Sequence, residues 1–168
     1  HNQIKAYKIL ETYYLRKSEM ENYTEILTKI MLLSEEIGAE SEIASCLMSM
    51  GNLEISKMNW QKCMIYLNQA LAIAERLERK ILIGKTKVEM AKALSLQGKF
   101  ILAEKMALEA IDIYLAIDFK RGLFGAYYSL AINCEVQFKY DEALIWYRKW
   151  ETIADSCNDR NAIINSRL

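Results

Sequence analysis

Apolar residues recur along this chain at steps of three and four, the spacing that gathers side chains on one face of an α-helix. Residues 19–37 carry Tyr23, Ile26, Leu27, Ile30, Leu33 and Ile37 in that rhythm. Residues 100–117 carry it most cleanly, with Ala103, Met106, Ala107, Ala110, Ile113, Tyr114 and Ile117 in one stripe. The pattern predicts eight helices, over residues 2–17, 19–37, 41–56, 60–77, 81–96, 100–117, 122–137 and 140–157. The first has Ile4, Tyr7, Ile9, Leu10 and Tyr14 on its apolar face. Short polar connections separate the segments, and Gly38 and Gly98 stand where helix-terminating glycines belong. Neighbours joined so closely must run antiparallel. No segment sustains the alternation of a strand, and proline is absent, which removes the strongest helix breaker.

The segments pair, and the pairs repeat. Shifted by 40 residues, Met50 falls on Leu10, Met90 and Leu130, while Gly51 falls on Glu11, Ala91 and Ala131. Cys63 falls on Tyr23, Ala103 and Ala143, and Ala70 falls on Ala110. A fixed period of this length signals a solenoid of stacked helical hairpins. The expected architecture is one all-α array over 1–168, with repeats at 1–40, 41–80, 81–120 and 121–160. Residues 161–168 match the opening of another first helix, as the start of a fifth repeat or a short cap, so the sequence reads as part of a longer protein.

Composition narrows the function classes. Lys+Arg and Asp+Glu both number 22, so no net field draws the chain to nucleic acid or an anionic membrane. No apolar run approaches the roughly 20 residues of a membrane span. Cysteines at 46, 63, 134 and 157 form no CxxC pair and the only histidine is His1, so neither a metal site nor a cofactor is expected. Structural, reduced thiols of this kind suit a cytoplasmic setting. No catalytic motif appears, and paired carboxylates such as Glu35–Glu36 and Asp141–Glu142 read as solvated helix ends, so the chain is not expected to be an enzyme.

At the repeated positions the chain resembles the tetratricopeptide repeat family. Met50-Gly51 matches the family's Leu-Gly pair, and Cys63, Leu67 and Ala70 match the small, large and small positions of its second helix. Met90, Ala91, Ala103, Ala107 and Ala110 match in the third unit, and Leu130, Ala131 and Ala143 in the fourth. Glu11, Tyr23 and Trp150 depart from small positions, and the closing proline is missing. The period resembles the longer 40-residue variant of bacterial regulators and sensor proteins. The resemblance implies a right-handed superhelix whose concave face, lined by first helices, holds a peptide or protein. Carried onto this chain, that lining is Lys5, Lys8, Thr12, Ser45, Met48, Asn52, Lys85, Val88, Lys92, Gly125, Tyr128 and Ile132. Four of these are lysines and none is acidic, so the expected ligand is acidic. The same lysines could equally do no more than solvate a groove. Lys8 and Lys85 match positions of the family's carboxylate clamp, but Thr12, Ser49 and Glu89 replace others, so that clamp is not expected.

A second surface is expected at the C-terminal end. Leu144, Tyr147, Trp150, Ile153 and Ala154 form an apolar stripe with little sequence after it to cover it, which predicts self-association through the last hairpin. The alternative is that these aromatic residues are core. The reading of function is therefore a protein- or peptide-binding module of a larger bacterial regulatory or scaffold protein. The competing reading is a dimerising spacer for an output domain that binds no free ligand.

Overall fold

The computed structural model describes residues 2–156; Cys157 and the expected fifth-repeat start at 161–168 lie outside them. The described residues form eight helices and no strand: α1 (Asn2–Lys17), α2 (Met20–Glu36), α3 (Glu40–Ser56), α4 (Trp60–Arg76), α5 (Lys80–Leu96), α6 (Phe100–Ala116), α7 (Lys120–Glu135) and α8 (Tyr140–Ser156). Apolar periodicity had placed each within two residues. The turns explain how helices end without proline. One residue in each turn adopts the left-handed conformation, at positions 18, 38, 58, 78, 98, 118 and 138, one every 20 residues. At the ends of α1, α2, α3, α5, α6 and α7 the following amide closes a bond to the carbonyl five residues back, such as Asn59 N–H to Glu54 C=O at 2.9 Å. That bond, with the shorter one from Met58 N–H to Ile55 C=O, satisfies the orphan carbonyls of the last turn.

Only Gly38 and Gly98 meet this backbone demand without a Cβ. Met58 holds φ 56° with its side chain 74% exposed, so it has the backbone cost and little packing in return. Met58→Gly is expected to raise stability by about 1 kcal/mol. Gly38→Ala, at φ +65° with open space around it, should lower stability by a similar amount. Thermal unfolding of the two variants should shift in opposite directions.

The chain divides into two compact units between Leu77 and Glu78. In the first, α2 packs on α1 and α3, and α3 on α4. Ile4, Ile26, Ile30 and Cys46 form one core cluster, and Tyr23, Leu27 and Leu53 another. The α3–α4 hairpin is tight because Gly51 faces α4: a Cβ there would lie 2.9 Å from Leu67 Cδ2. Glu11, which takes that place in the first repeat, instead accepts a hydrogen bond from Ser49 Oγ of α3 at 2.9 Å. A polar side chain is tolerated there because it finds a partner across the helices.

In the second unit, α6 packs on α5 and α7, α8 on α7, and α5 on α7. Its core joins Ala91, Ala107, Ala110, Ile111, Tyr114, Leu123, Ala126 and Leu130. Tyr114 is 1% exposed. A Cβ built on Gly84 of α5 would meet its ring at 2.5 Å, and one on Gly122 of α7 at 2.6 Å. The two glycines let both helices close on one ring. The small positions Cys63, Ala103 and Ala143, taken from the 40-residue shift, are all buried. So are the free thiols Cys46 and Cys134. Burial pushes the Cys46 thiol up to about 12, with the Glu11 carboxylate adding to it, so it stays protonated and poorly nucleophilic at neutral pH.

Candidate ligand-binding cleft

Successive turns of α5 and α7 present one stripe each to a shared cleft of about 320 Å³. Val88, Glu89, Lys92, Ser95 and Leu96 come from α5, and Gly125, Tyr128, Ser129 and Ile132 from α7. Steps of three, four and seven keep each set on one helix face. The clamp on Tyr114 and the buried contacts of Ala91, Leu123, Ala126 and Leu130 hold the two helices in register beneath it. The walls are largely apolar. At one edge Lys92 Nζ and a Glu89 carboxylate oxygen pair at 3.2 Å.

Five residues expected on the ligand face from the sequence, Val88, Lys92, Gly125, Tyr128 and Ile132, thus line one cleft. Lys85 lies exposed on α5 and is not among the lining residues. The sequence reading missed Ser95, Leu96 and Ser129, and named Glu89 only as a departure from the family's clamp. A further step of three or four from Lys92 would have reached Ser95 and Leu96, but the family positions stop one turn earlier.

In the first unit the expected residues lie on α1 (Lys5, Lys8, Thr12) and α3 (Ser45, Met48, Asn52). Lys5 is exposed, whereas Lys8 forms an ion pair with Glu42 of α3. The hydroxyls of Thr12 and Ser45 donate to the carbonyls of Lys8 and Ser41, at 3.0 and 2.9 Å, and so are committed to their own helices. Met48 is half-buried, and Asn52 keeps its side-chain oxygen buried without a hydrogen-bond partner. The twelve expected residues include no acid, yet two of their lysines have acidic neighbours. Glu42 and Glu89 meet Lys8 and Lys92, because positions taken at fixed steps leave out the neighbour one turn along or one helix over.

Tyr128 also borders a second cavity, of about 760 Å³, with Phe124, Leu144, Tyr147, Arg148, Trp150 and Glu151. Here the exposed stripe expected on α8 is corrected. Trp150 is 5% exposed and packs on Phe124 and Tyr128 of α7, with ring centroids 4.8 and 5.8 Å away. Ala154 is buried and Ile153 packs against the core cluster. Tyr147 is half-buried and donates its hydroxyl to Glu135 at 2.6 Å; burial first, then that contact, raises its pKa above the usual range. Only Leu144 of the stripe stands mainly in solvent, at 54% exposure. The stripe is one face of α8 turned toward α7.

Among the described residues no group of three or more His, Cys, Asp or Glu could hold a metal ion. No described helix is long and apolar enough to cross a membrane.

No protein-family model matches the chain, and no curated protein matches it in sequence. Several solved structures are similar to it. A Rap protein complexed with competence and sporulation factor superposes with a TM-score of 0.83 at 19% identity, over 99% of this chain and 47% of that one. Aspartyl phosphate phosphatase F from Bacillus subtilis gives 0.81 at 12% identity, over 99% and 44%. The apo form of RapI gives 0.74 at 15% identity, over 98% and 60%. This chain therefore spans roughly half the length of these structures. The likeness shows the fold, an all-α array of tetratricopeptide-like helical hairpins.

Proposed function

We propose that the chain is a non-enzymatic binding module that holds a peptide or a protein segment across α5 and α7, within a larger bacterial regulatory or scaffold protein of the cytoplasm. The observation that carries this reading is the apolar-walled cleft, which gathers five of the residues expected to face a ligand. A structural neighbour complexed with competence and sporulation factor lends support to a binding role. The preference for an acidic ligand rests on the lysines at the family's inward-facing positions, of which Lys92 lines the cleft beside Glu89 and Lys85 lies exposed on α5. The resemblance to longer-period arrays of regulators supports the regulatory setting.

The test is an amide NMR titration with an acetylated hexapeptide of alternating Asp and Leu, beside its Lys and Leu counterpart. The acidic peptide is expected to shift Val88, Lys92, Gly125, Tyr128 and Ile132. Lys85→Glu with Lys92→Glu should weaken it roughly tenfold or more at low salt and leave thermal stability within about 0.5 kcal/mol. Shifts confined to other helices would move the site elsewhere.

A second reading, a dimerising spacer, is favoured by one observation. Phe138, Tyr140 and Leu144 are 77%, 58% and 54% exposed at the α7–α8 turn and in the first part of α8. Sedimentation of wild type and Leu144→Glu distinguishes the two: a dimer dissociated by that change supports the spacer, and a monomer at high concentration removes it.

A further inference from the structure

The second helix of each hairpin turns one side to solvent, and the repeat shows what that side normally carries. In α2 four of its positions hold Glu21, Asn22, Thr28 and Glu35. Moved on by 40 residues, the same positions in α4 hold Gln61, Lys62, Asn68 and Glu75. In α8 they hold Asp141, Glu142, Arg148 and Asp155. Every one of these side chains is polar and exposed. In α6 the four are Ile101, Leu102, Leu108 and Leu115, at 82%, 51%, 39% and 57% exposure. Apolar residues scattered singly over a surface are ordinary. Four on one helix, where the three equivalent helices are polar throughout, need a reason.

The four lie close together. Ile101, Leu108 and Leu115 follow one another at steps of seven, which lays them along one line of the helix. Lys105 and Asp112, also seven apart, run beside that line, and Leu102 marks its edge. The core does not account for them, because α6 packs on α5 and α7 through Ala107, Ala110, Ile111 and Tyr114. The charges beside the line are loosely held. Lys105 reaches Glu109 only at 3.9 Å, while Glu109 pairs more closely with Lys87, at 2.6 Å. Asp112 stands exposed.

We infer that this face of α6 docks against the same face of a second copy of the chain, the two helices running antiparallel across a two-fold axis at Leu108. A two-fold contact needs a surface complementary to itself, and this one is. Ile101 of one copy meets Leu115 of the other, and Leu108 meets its own counterpart. Lys105 comes level with Asp112 of the other copy to within one residue's rise, about 1.5 Å, on the same side of the seam. A parallel pairing would set Lys105 against Lys105 and Asp112 against Asp112, so the charges select the antiparallel one. A partner of uniform charge would be repelled by one of the two. A single helix-on-helix seam is small beside the roughly 1,200–2,000 Å² of stable interfaces, so association is weak and depends on concentration. It is independent of the α5–α7 cleft and uses a different helix from Leu144.

Sedimentation equilibrium of the whole chain tests it, and a concentration-dependent equilibrium of monomer and dimer is expected. Ile101→Glu and Leu108→Glu should each weaken the dimer roughly tenfold or more. Circular dichroism and melting should stay as in wild type, since both side chains stand in solvent. Lys105→Asp or Asp112→Lys alone should also weaken the dimer, by setting like charges against each other across the seam. Both changes in one chain should restore it to within about threefold of wild type. A chain that stays monomeric at high concentration overturns the inference, as does a dimer that Ile101→Glu and Leu108→Glu leave intact. Dissociation by Leu144→Glu in place of these two would move the contact to α8 and overturn it equally. A dimer lost in both apolar variants, but not restored by the double charge exchange, would overturn the antiparallel pairing.

Discussion

Tyr114→Ala is expected to destabilise the second unit by about 3–5 kcal/mol, the range for deleting a large buried aromatic side chain. The ring is 1% exposed and lies where both Gly84 and Gly122 give up their side chains to make room for it. Phe119 adds a tilted contact at 5.5 Å between ring centroids. Removing the ring leaves a void bounded on two sides by helix backbone, which cannot collapse as side chains can. Gly84→Ala and Gly122→Ala approach the same clamp from outside and should each cost about 1–3 kcal/mol by overpacking. Because α5 and α7 also form the cleft, Tyr114→Ala should weaken binding of the acidic peptide in proportion to the folded population. Chemical denaturation of the three variants would check this. A Tyr114→Ala protein within about 1 kcal/mol of wild type would show that the ring does not set the spacing of α5 and α7.

Trp150→Glu is expected to unfold the α7–α8 hairpin, not merely to disrupt a surface. The indole packs among Phe124, Tyr128 and Tyr147, with centroids 4.8, 5.8 and 6.4 Å away, and a carboxylate there would be buried among rings. Truncation alone should cost about 3–5 kcal/mol, and the buried charge adds to that. Leu144→Glu, on the exposed side of the same helix, should stay within about 0.5 kcal/mol of wild type. Comparing the two by circular dichroism and thermal melting separates a folding defect from a lost contact. Cooperative melting of Trp150→Glu at the wild-type temperature would contradict the packing described.

These two residues mark where the sequence was and was not legible. The stripe containing Trp150 was visible as helical spacing, but periodicity reports only that a face is apolar, not which neighbour it meets. The same argument covers Glu89 and Glu42, whose pairing with Lys92 and Lys8 depends on a helical turn or a facing helix. Cys63, Ala103 and Ala143 were legible because the last three hairpins each bury a small side chain at that slot, so the restriction recurs in the sequence, although the first repeat buries Tyr23 there. Ser95, Leu96 and Ser129 left no such trace, because the recurring positions stop short of them, whereas Gly125 was reached through those positions.

The regular spacing of left-handed turn residues, one every 20 positions, has a consequence for how this chain can change. One residue inserted within α6 would rotate everything after it on that helix by about 100°, turning Ala107, Ala110 and Tyr114 out of their contacts with α5 and α7. An insertion in a turn would break the paired bonds that end the helix before it. Neither error can be absorbed locally, since only two to four residues separate one helix from the next. Changes of length should therefore be accepted as whole hairpins, and a duplicated or excised block of 40 residues should disturb this protein less than the gain of a single one.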